Sequence, residues 1–435
     1  MSRGGQQAAA IMGSLSAPIA ALSNTVRRHR PDYMIILYMG LLMLIGLVMI
    51  YAIGPQRANV LNNSYGSNYS DVYFFIKQAV SLGLSLGAFA LMAVLPYTFI
   101  TKHGGKLLVI GFASCALLAI AGWIHLSIAQ CTLGACRWFY LGGLGTLQPA
   151  EILKFGVLIF VAGFLGTKVA QHKVNDLHET LIPLAVITAL AMLFIVVIEK
   201  DMGTGIALAC IIVTMLIVGG ISKKIGIIVL AAALLVGIGF IIIAPHRIDR
   251  ITTFFQGDNT STTDGASYQI AHAKIAIGSG GWTGVGIGNS VQASGYLPEA
   301  INDSVFAIMG ETFGFLGLVA ILGLFVALLM RLLKVMDHLI DMRLKLIAAG
   351  VFGWLGAHVI LNVASMIGIF PLTGITLPLL SFGGTSMIFI AAALGLIFQL
   401  SRYTVHSSRL KEATNENSSS RRGIGRTRYA GRGSS

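Results

Sequence analysis

Asp303 is the side chain in this sequence best placed for proton chemistry. It lies near the end of a glycine-rich segment, Tyr268 to Glu311 (YQIAHAKIAIGSGGWTGVGIGNSVQASGYLPEAINDSVFAIMGE), on the threshold of a long apolar run. A carboxylate there can take a proton from a reacting hydroxyl, or it can cap the coming helix by accepting free backbone N–H groups. Further ionisable residues fall at the edges of other apolar runs: Arg137 beside Trp138, Glu151 and Lys154, Glu199-Lys200-Asp201, and Lys274. Such groups are costly near hydrocarbon, so each needs a partner or a function. Glu151 and Lys154, three apart, share a helix face and can pair with each other. Glu311 follows Asp303 by eight residues, roughly 12 Å further along a helix. A carboxylate buried there calls for a proton or a cation, with Lys154 and Lys274 as candidates.

The glycines at 278, 280, 281, 284, 286 and 288 form no dinucleotide fingerprint, because no strand-to-helix frame surrounds them. They let the backbone turn tightly and approach a ligand or a helix bundle closely. The ten histidines are scattered, and no Cys or His spacing marks a metal site. Cys115 and Cys210 fall inside apolar runs and pack there as small hydrophobes. Cys131 and Cys136 share a loop, where an oxidising exterior permits a bridge. The segment IFPLTGITLPLLSFGGTS carries Pro371, Gly374, Pro378, Gly383 and Gly384, a broken-helix pattern tolerated only where protein or a cavity covers the backbone.

The elements that position these residues follow from composition. Of 435 residues, 55% are hydrophobic and 11% charged, and the mean hydropathy is +0.81. No soluble domain is built this way. A bilayer core about 30 Å thick takes about 20 apolar residues per helix. Read so, the chain has spans near 33–54, 74–95, 106–128, 150–167, 181–198, 202–220, 225–244, 304–330, 346–370 and 374–400. The expected fold is an all-α polytopic membrane protein of ten transmembrane helices. Most of the 30 Lys and Arg fall in the tails and in alternate short loops, which sets both termini inside and puts a large extracytoplasmic loop, 245–303, between helices 7 and 8. The division of the chain is a basic disordered tail 1–32, a membrane domain 33–403 and a second basic disordered tail 404–435. Residues 1–30 lack an apolar core long enough for a cleaved signal, so the first span is expected to remain as an anchor. The net charge of +13 sits against an anionic leaflet and serves membrane lipids, not nucleic acid.

Four stretches, LGACRWFYLGGLGTLQPAEILKFG, EKDMGTGIAL, the glycine-rich segment through ETFGFLG, and NVASMIGIFPLTGITLPLLSFGGTS, resemble the SEDS family (shape, elongation, division and sporulation proteins) in order and spacing over about residues 33–403. The GNSVQ and GYLPEA wording is more similar to the division branch, FtsW, than to the elongation branch, RodA. The resemblance implies a peptidoglycan glycosyltransferase that polymerises lipid II at the outer face of the bacterial cytoplasmic membrane, at the division septum. It assigns the essential acid to Asp303, and the loop arginine and tryptophan to Arg137 and Trp138. It matches Glu151 and Lys154 to the family's QPxExxK and Asp201 to its QPDxGT. Here Glu199-Lys200 replaces the Gln-Pro of that motif, and Asn302 and Ser304 flank the acid where Thr and Phe are commoner.

Such a reaction inverts the anomeric carbon in one displacement, so a general base must deprotonate the acceptor's 4-hydroxyl. Asp303 is that base. The leaving pyrophosphate needs Arg137, Lys154, Lys200 or Lys274, or a divalent cation (Mg or Mn), to neutralise it. Trp138 either stacks on a sugar or anchors its loop at the interface. The resemblance further implies a class B penicillin-binding transpeptidase as partner, within the divisome or the elongasome. Two other classes compete: a flippase for the same lipid-linked precursor, which would need ionisable groups near the midplane facing both ways, and a scaffold in which Asp303 is replaceable.

Overall fold

The computed structural model describes residues 30–404 apart from 133–134, 143–144, 230, 232–238 and 240–264. The expected tails except residues 30–32 and 404, most of the seventh span and the first part of the large loop lie outside the described residues.

The apolar runs fold into helices whose starts are written in polar or proline residues. These are α1 (Tyr33–Tyr65), α2 (Tyr73–Val94), α3 (Gly104–Trp123), α4 (Pro149–Ala170), α5 (Leu177–Ile198), α6 (Met202–Val218), α7 (Gly265–Ser279), α8 (Val305–His338), α9 (Met342–Met366) and α10 (Gly384–Leu400). Asp32, Asp176, Asp201 and Asp341 cap α1, α5, α6 and α9 by accepting from the first free backbone N–H groups. Pro149, which has no N–H to lose, opens α4. Among the described residues eight helices are long and apolar enough to cross a membrane, and α6 is a shorter apolar helix. Their outward faces keep large apolar side chains exposed, Leu44, Val109 and Ile360 among them. A bilayer is the environment that suits such faces. This is a multi-pass membrane protein.

Several boundaries differ from the sequence expectation, α8 running on to His338 among them. α1 runs past residue 54 to Tyr65 with Pro55 inside it. α3 stops at Trp123, where His125 takes a positive φ of 54° and turns the chain outward. The last span begins only at Gly384, because Pro371, Pro378 and Gly374 (φ 70°) keep the preceding residues out of helix. That non-helical segment is covered as membrane burial requires. Gln78 of α2 donates to the Ser381 carbonyl, Ser381 Oγ accepts from Leu377 N, and the backbone of Leu379 and Leu380 lies against Gly46 of α1. The fold is also not wholly helical. Strands β1 (Ala129–Thr132), β2 (Ala135–Tyr140) and β3 (Thr146–Leu147) form an antiparallel sheet in sequence order. The disulfide Cys131–Cys136 joins directly paired residues of β1 and β2.

α8 is two helices spliced at Gly314, whose φ of 66° and ψ of −169° suit glycine alone. The glycine-rich loop fills the splice. Val285 N and Gly286 N donate to the carbonyls of Glu311 and Thr312, while Phe315 N and Leu316 N donate to those of Gly281 and Trp282. A Cβ on Gly284 would lie 2.1 Å from the Thr312 carbonyl oxygen, and one on Gly280 would lie 2.0 Å from that of Gly310. The glycines therefore serve close approach to the bundle.

The connectors sort into two ends. At one end the sheet, the α5–α6 turn, the α7–α8 loop and the Pro371–Gly383 segment touch one another. At the other, Lys168 and Lys173 pair with Glu179, Asp32 with Arg331, and Leu339 bridges Thr404. The basic inner loops of the sequence reading belong to this second end.

Candidate active site

The first end holds two polar clusters, linked by α9. In the first, Asp303 sits half-buried in the turn before α8, and Ser304 rather than Asp303 occupies the N-cap position. Three contacts fix this turn. Buried Asn362 of α9 donates from Nδ2 to the Asp303 carbonyl and to the Ile375 carbonyl, each at 2.7 Å. Gln269 of α7 donates to Ser304 Oγ at 2.9 Å and stands 3.4 Å from Asp303 Oδ1. Ser304 Oγ in turn donates to the Pro298 carbonyl at 2.9 Å. The backbone under the acid is thus pinned by α9 and by its own loop. The carboxylate accepts from Gln269 Nε2 at 3.4 Å.

In the second cluster Lys154 and Glu151 of α4 pair at 2.8 Å, with 0% and 2% of their side chains exposed. Lys154 Nζ also lies 3.4 Å from His358 Nε2 and 4.9 Å from the centre of the Trp354 ring, both on α9. Trp354, His358 and Asn362 are spaced by four residues. They make one stripe on α9, so α9 meets the Lys154 pocket and the Asp303 turn at positions one helical turn apart.

The α5–α6 turn closes the cluster from above. Arg137 of β2 spends its guanidinium on carbonyls, with Nε to Glu199 at 3.1 Å and Nη2 to Lys200 at 2.8 Å. Asp201 accepts from Gln148 Nε2 at 2.9 Å as well as capping α6 through Thr204. Gln148 N and the Thr146 carbonyl both meet Thr385 Oγ1 at the head of α10, which ties the sheet to the last helix. Glu199, just beyond the end of α5, is 1% exposed. Burial pushes its carboxyl up to about 8. The charges of Asp201 and Glu151 add to the rise, and the Cys115 thiol and Arg137 offset part of it.

The structure therefore brings Arg137, Glu151, Lys154 and Asp201 together, and α9 meets the Asp303 turn one helical turn further along. Trp138 is half-buried on β2 opposite Gln130. Lys274 is exposed on α7, its stem packed over Gly368 at the end of α9. Of the proton or cation expected for Glu311, neither Lys154 nor Lys274 is the partner found. Its carboxylate accepts from Ser290 Oγ at 2.5 Å, Val291 N at 3.0 Å and Gln292 N at 3.2 Å, so backbone and hydroxyl donors take the place of a cation. Sequence reasoning passed over Asn362, His358, Gln269 and Gln148. The first two were detectable as polar residues four apart inside an apolar run. Among the described residues no group of three or more His, Cys, Asp or Glu side chains is placed to hold a metal ion.

Fold and site together define a multi-pass helical membrane protein with a pinned carboxylate and a buried ionic cluster at one end. The chain belongs to the cell cycle protein family of FtsW, RodA and SpoVE, whose model matches residues 32–406. It is 33% identical over 395 residues to a protein of Nitrosomonas europaea named as a probable peptidoglycan glycosyltransferase FtsW, covering 89% of this chain and 96% of that one. It is 31% identical over 383 residues to the stage V sporulation protein E of Bacillus subtilis, covering 87% and 99%. Among solved structures, a chain of a peptidoglycan synthase complex described as coordinating polymerization and crosslinking superposes with a TM-score of 0.66 at 24% identity, covering 86% of this chain and 98% of that one. The rod shape determining protein RodA of Thermus thermophilus superposes with a TM-score of 0.60 at 21% identity, covering 87% and 98%. At these identities the two structures establish the shared fold.

Proposed function

We propose that this protein is a peptidoglycan glycosyltransferase that polymerises lipid II at the outer face of the cytoplasmic membrane, with Asp303 as the general base. The observation that carries the reading is the pinned turn: Asn362 and Ser304 hold the backbone of Asp303 while its carboxylate is left half-buried beside Gln269. A base must be held in register with a bound hydroxyl to share its proton, and anchoring the backbone of this turn sets where the carboxylate stands. The base takes the proton of the acceptor 4-hydroxyl as that oxygen attacks the anomeric carbon, and the pyrophosphate departs from the opposite face with inversion. Among the described candidates Lys200 and Lys274 are exposed at this end and Arg137 is half-buried, so these three are the cations a pyrophosphate could meet. Lys154 is sealed against Glu151 and His358, and its part is to fix α4 to α9 beneath the site. Asp201 holds the α5–α6 turn to Gln148. Trp138, next to Arg137, shapes the rim.

Identity to FtsW-named relatives supports work at the division septum, and the likeness to a chain of a synthase complex supports a penicillin-binding transpeptidase partner. The basic second end is the cytoplasmic one on the positive-inside rule, which leaves both termini inside. The test is polymerisation of purified lipid II by the protein with its cognate transpeptidase. Asp303→Asn and Asp303→Ala at equal folded yield should lose roughly 10²–10⁴-fold in rate. Wild-type chain yields from Asp303→Ala would reduce the residue to a turn former. A folded wild-type complex that makes no chains but moves lipid II between leaflets would establish the flippase instead.

A further inference from the structure

An aromatic column rises beside the pinned turn and takes no part in the chemistry described so far. Tyr268 and His272 are one turn apart on α7, with ring centres 4.1 Å apart. Tyr296, from the loop that leads to Asp303, lies nearly parallel to the His272 ring, at 12° with centres 6.2 Å apart. Tyr296 remains 53% exposed although His272 backs it. His272 is oriented by Gln292, whose Oε1 lies 2.7 Å from Nδ1. Gln292 is itself buried, and its backbone N–H donates to Glu311, so the column rests on the splice of α8. The residue adjoining Tyr268 is Gln269, which meets Ser304 and Asp303. At 1.5 Å per residue, His272 stands about 4.5 Å along α7 from Gln269, less than the length of one hexopyranose unit.

We propose that Tyr268, His272 and Tyr296 form a saccharide-binding platform that holds a pyranose ring of the glycan next to the reacting sugar; this rests on the glycosyltransferase reading above. The apolar face of a β-linked pyranose presents axial C–H groups to an aromatic ring, whose face carries the negative part of its quadrupole. His272 backs the Tyr296 ring, so the exposed ring face, not the phenol, is the surface such a sugar meets. A ligand held there is kept in reach of Asp303 between successive additions, so the platform governs how long a chain grows.

The experiment compares wild type, Tyr296→Phe and Tyr296→Ala, each in complex with the transpeptidase, by thermal unfolding, apparent KM for lipid II and product length. Expected is an unfolding temperature shared by all three, wild-type behaviour from Tyr296→Phe, and from Tyr296→Ala about a tenfold rise in KM with chains several-fold shorter. Wild-type KM and chain length from Tyr296→Ala would overturn the platform. So would equal failure of Tyr296→Phe and Tyr296→Ala, which would make the phenol an interfacial anchor, or a fall in the unfolding temperature of Tyr296→Ala that accounts for its activity loss. If wild type makes no chains, the glycosyltransferase reading fails. Calorimetric titration with a β-1,4-linked N-acetylhexosamine oligomer then decides the platform: binding to wild type that is lost in Tyr296→Ala upholds it, and absence of binding to wild type removes it.

Discussion

Replacing Gly314 by alanine tests whether the splice in α8 is a designed junction. At φ 66° and ψ −169° an L side chain is strained by about 1–3 kcal/mol. The added Cβ would meet Gly284 N at 2.4 Å and Thr283 N at 2.6 Å, backbone atoms that cannot swing aside. Forcing a methyl into packed space costs about 1–3 kcal/mol more. The sum is near 4 kcal/mol, and relief by straightening α8 would forfeit the backbone hydrogen bonds from Val285, Gly286, Phe315 and Leu316. Gly323, nine residues on in the same helix, is the internal control. Nothing lies within 4 Å of a Cβ there, so Gly323→Ala should stabilise by about 0.5–1 kcal/mol through helix propensity alone. The assay is thermal unfolding of the purified proteins in detergent, followed by lipid II polymerisation at a temperature where all are folded. Gly314→Ala should unfold several degrees below wild type and lose activity, while Gly323→Ala should match or exceed wild type in both. Equal unfolding temperatures for the two variants would refute the argument.

Two more predictions concern the ionic cluster. Lys154→Met strands Glu151 in an apolar interior and should destabilise by about 3–5 kcal/mol, whereas Glu151→Leu with Lys154→Met should recover most of that loss in chemical unfolding; a double variant as unstable as the single one would make the pair irreplaceable. The Glu199 carboxyl, raised from 4.5 to about 8 in the fold, binds its proton more tightly folded than unfolded. Its contribution to stability is therefore present below pH 4.5 and lost as pH rises from there to about 8. Glu199→Gln should flatten that part of the stability profile, measured by unfolding between pH 5 and 9, and an unchanged slope would assign the pH dependence elsewhere.

Composition made the membrane helices legible, because an 18-residue apolar run has few other uses. It made their ends less so. The start of α10 was obscured by Leu377, Leu379 and Leu380, which are as apolar as any helix face but are buried in a non-helical segment. The small sheet was hidden because its strands are short and its first pairing is set by a disulfide between residues five apart. Asp303, Glu151 and Lys154 stood out as charges at the edges of apolar runs. Asn362 and Gln269 did not, since a neutral amide in a helix signals little until its partner is known, and those partners are distant in sequence. Glu311 was expected to need a proton or a cation because sequence spacing cannot display the backbone N–H groups and the hydroxyl that meet it.

α9 touches both clusters through a single stripe, and a rigid rod fixes the ratio of the movements at its contacts. A slide of α9 by one residue, about 1.5 Å, would draw Asn362 from the Asp303 carbonyl and His358 from Lys154 in the same stroke. Gly353, wedged against Thr214 and the Cys210 carbonyl of α6, holds the helix between its ends. The acid and the buried ion pair thus share one mechanical coordinate, and whatever holds the height of α9 sets the register of both.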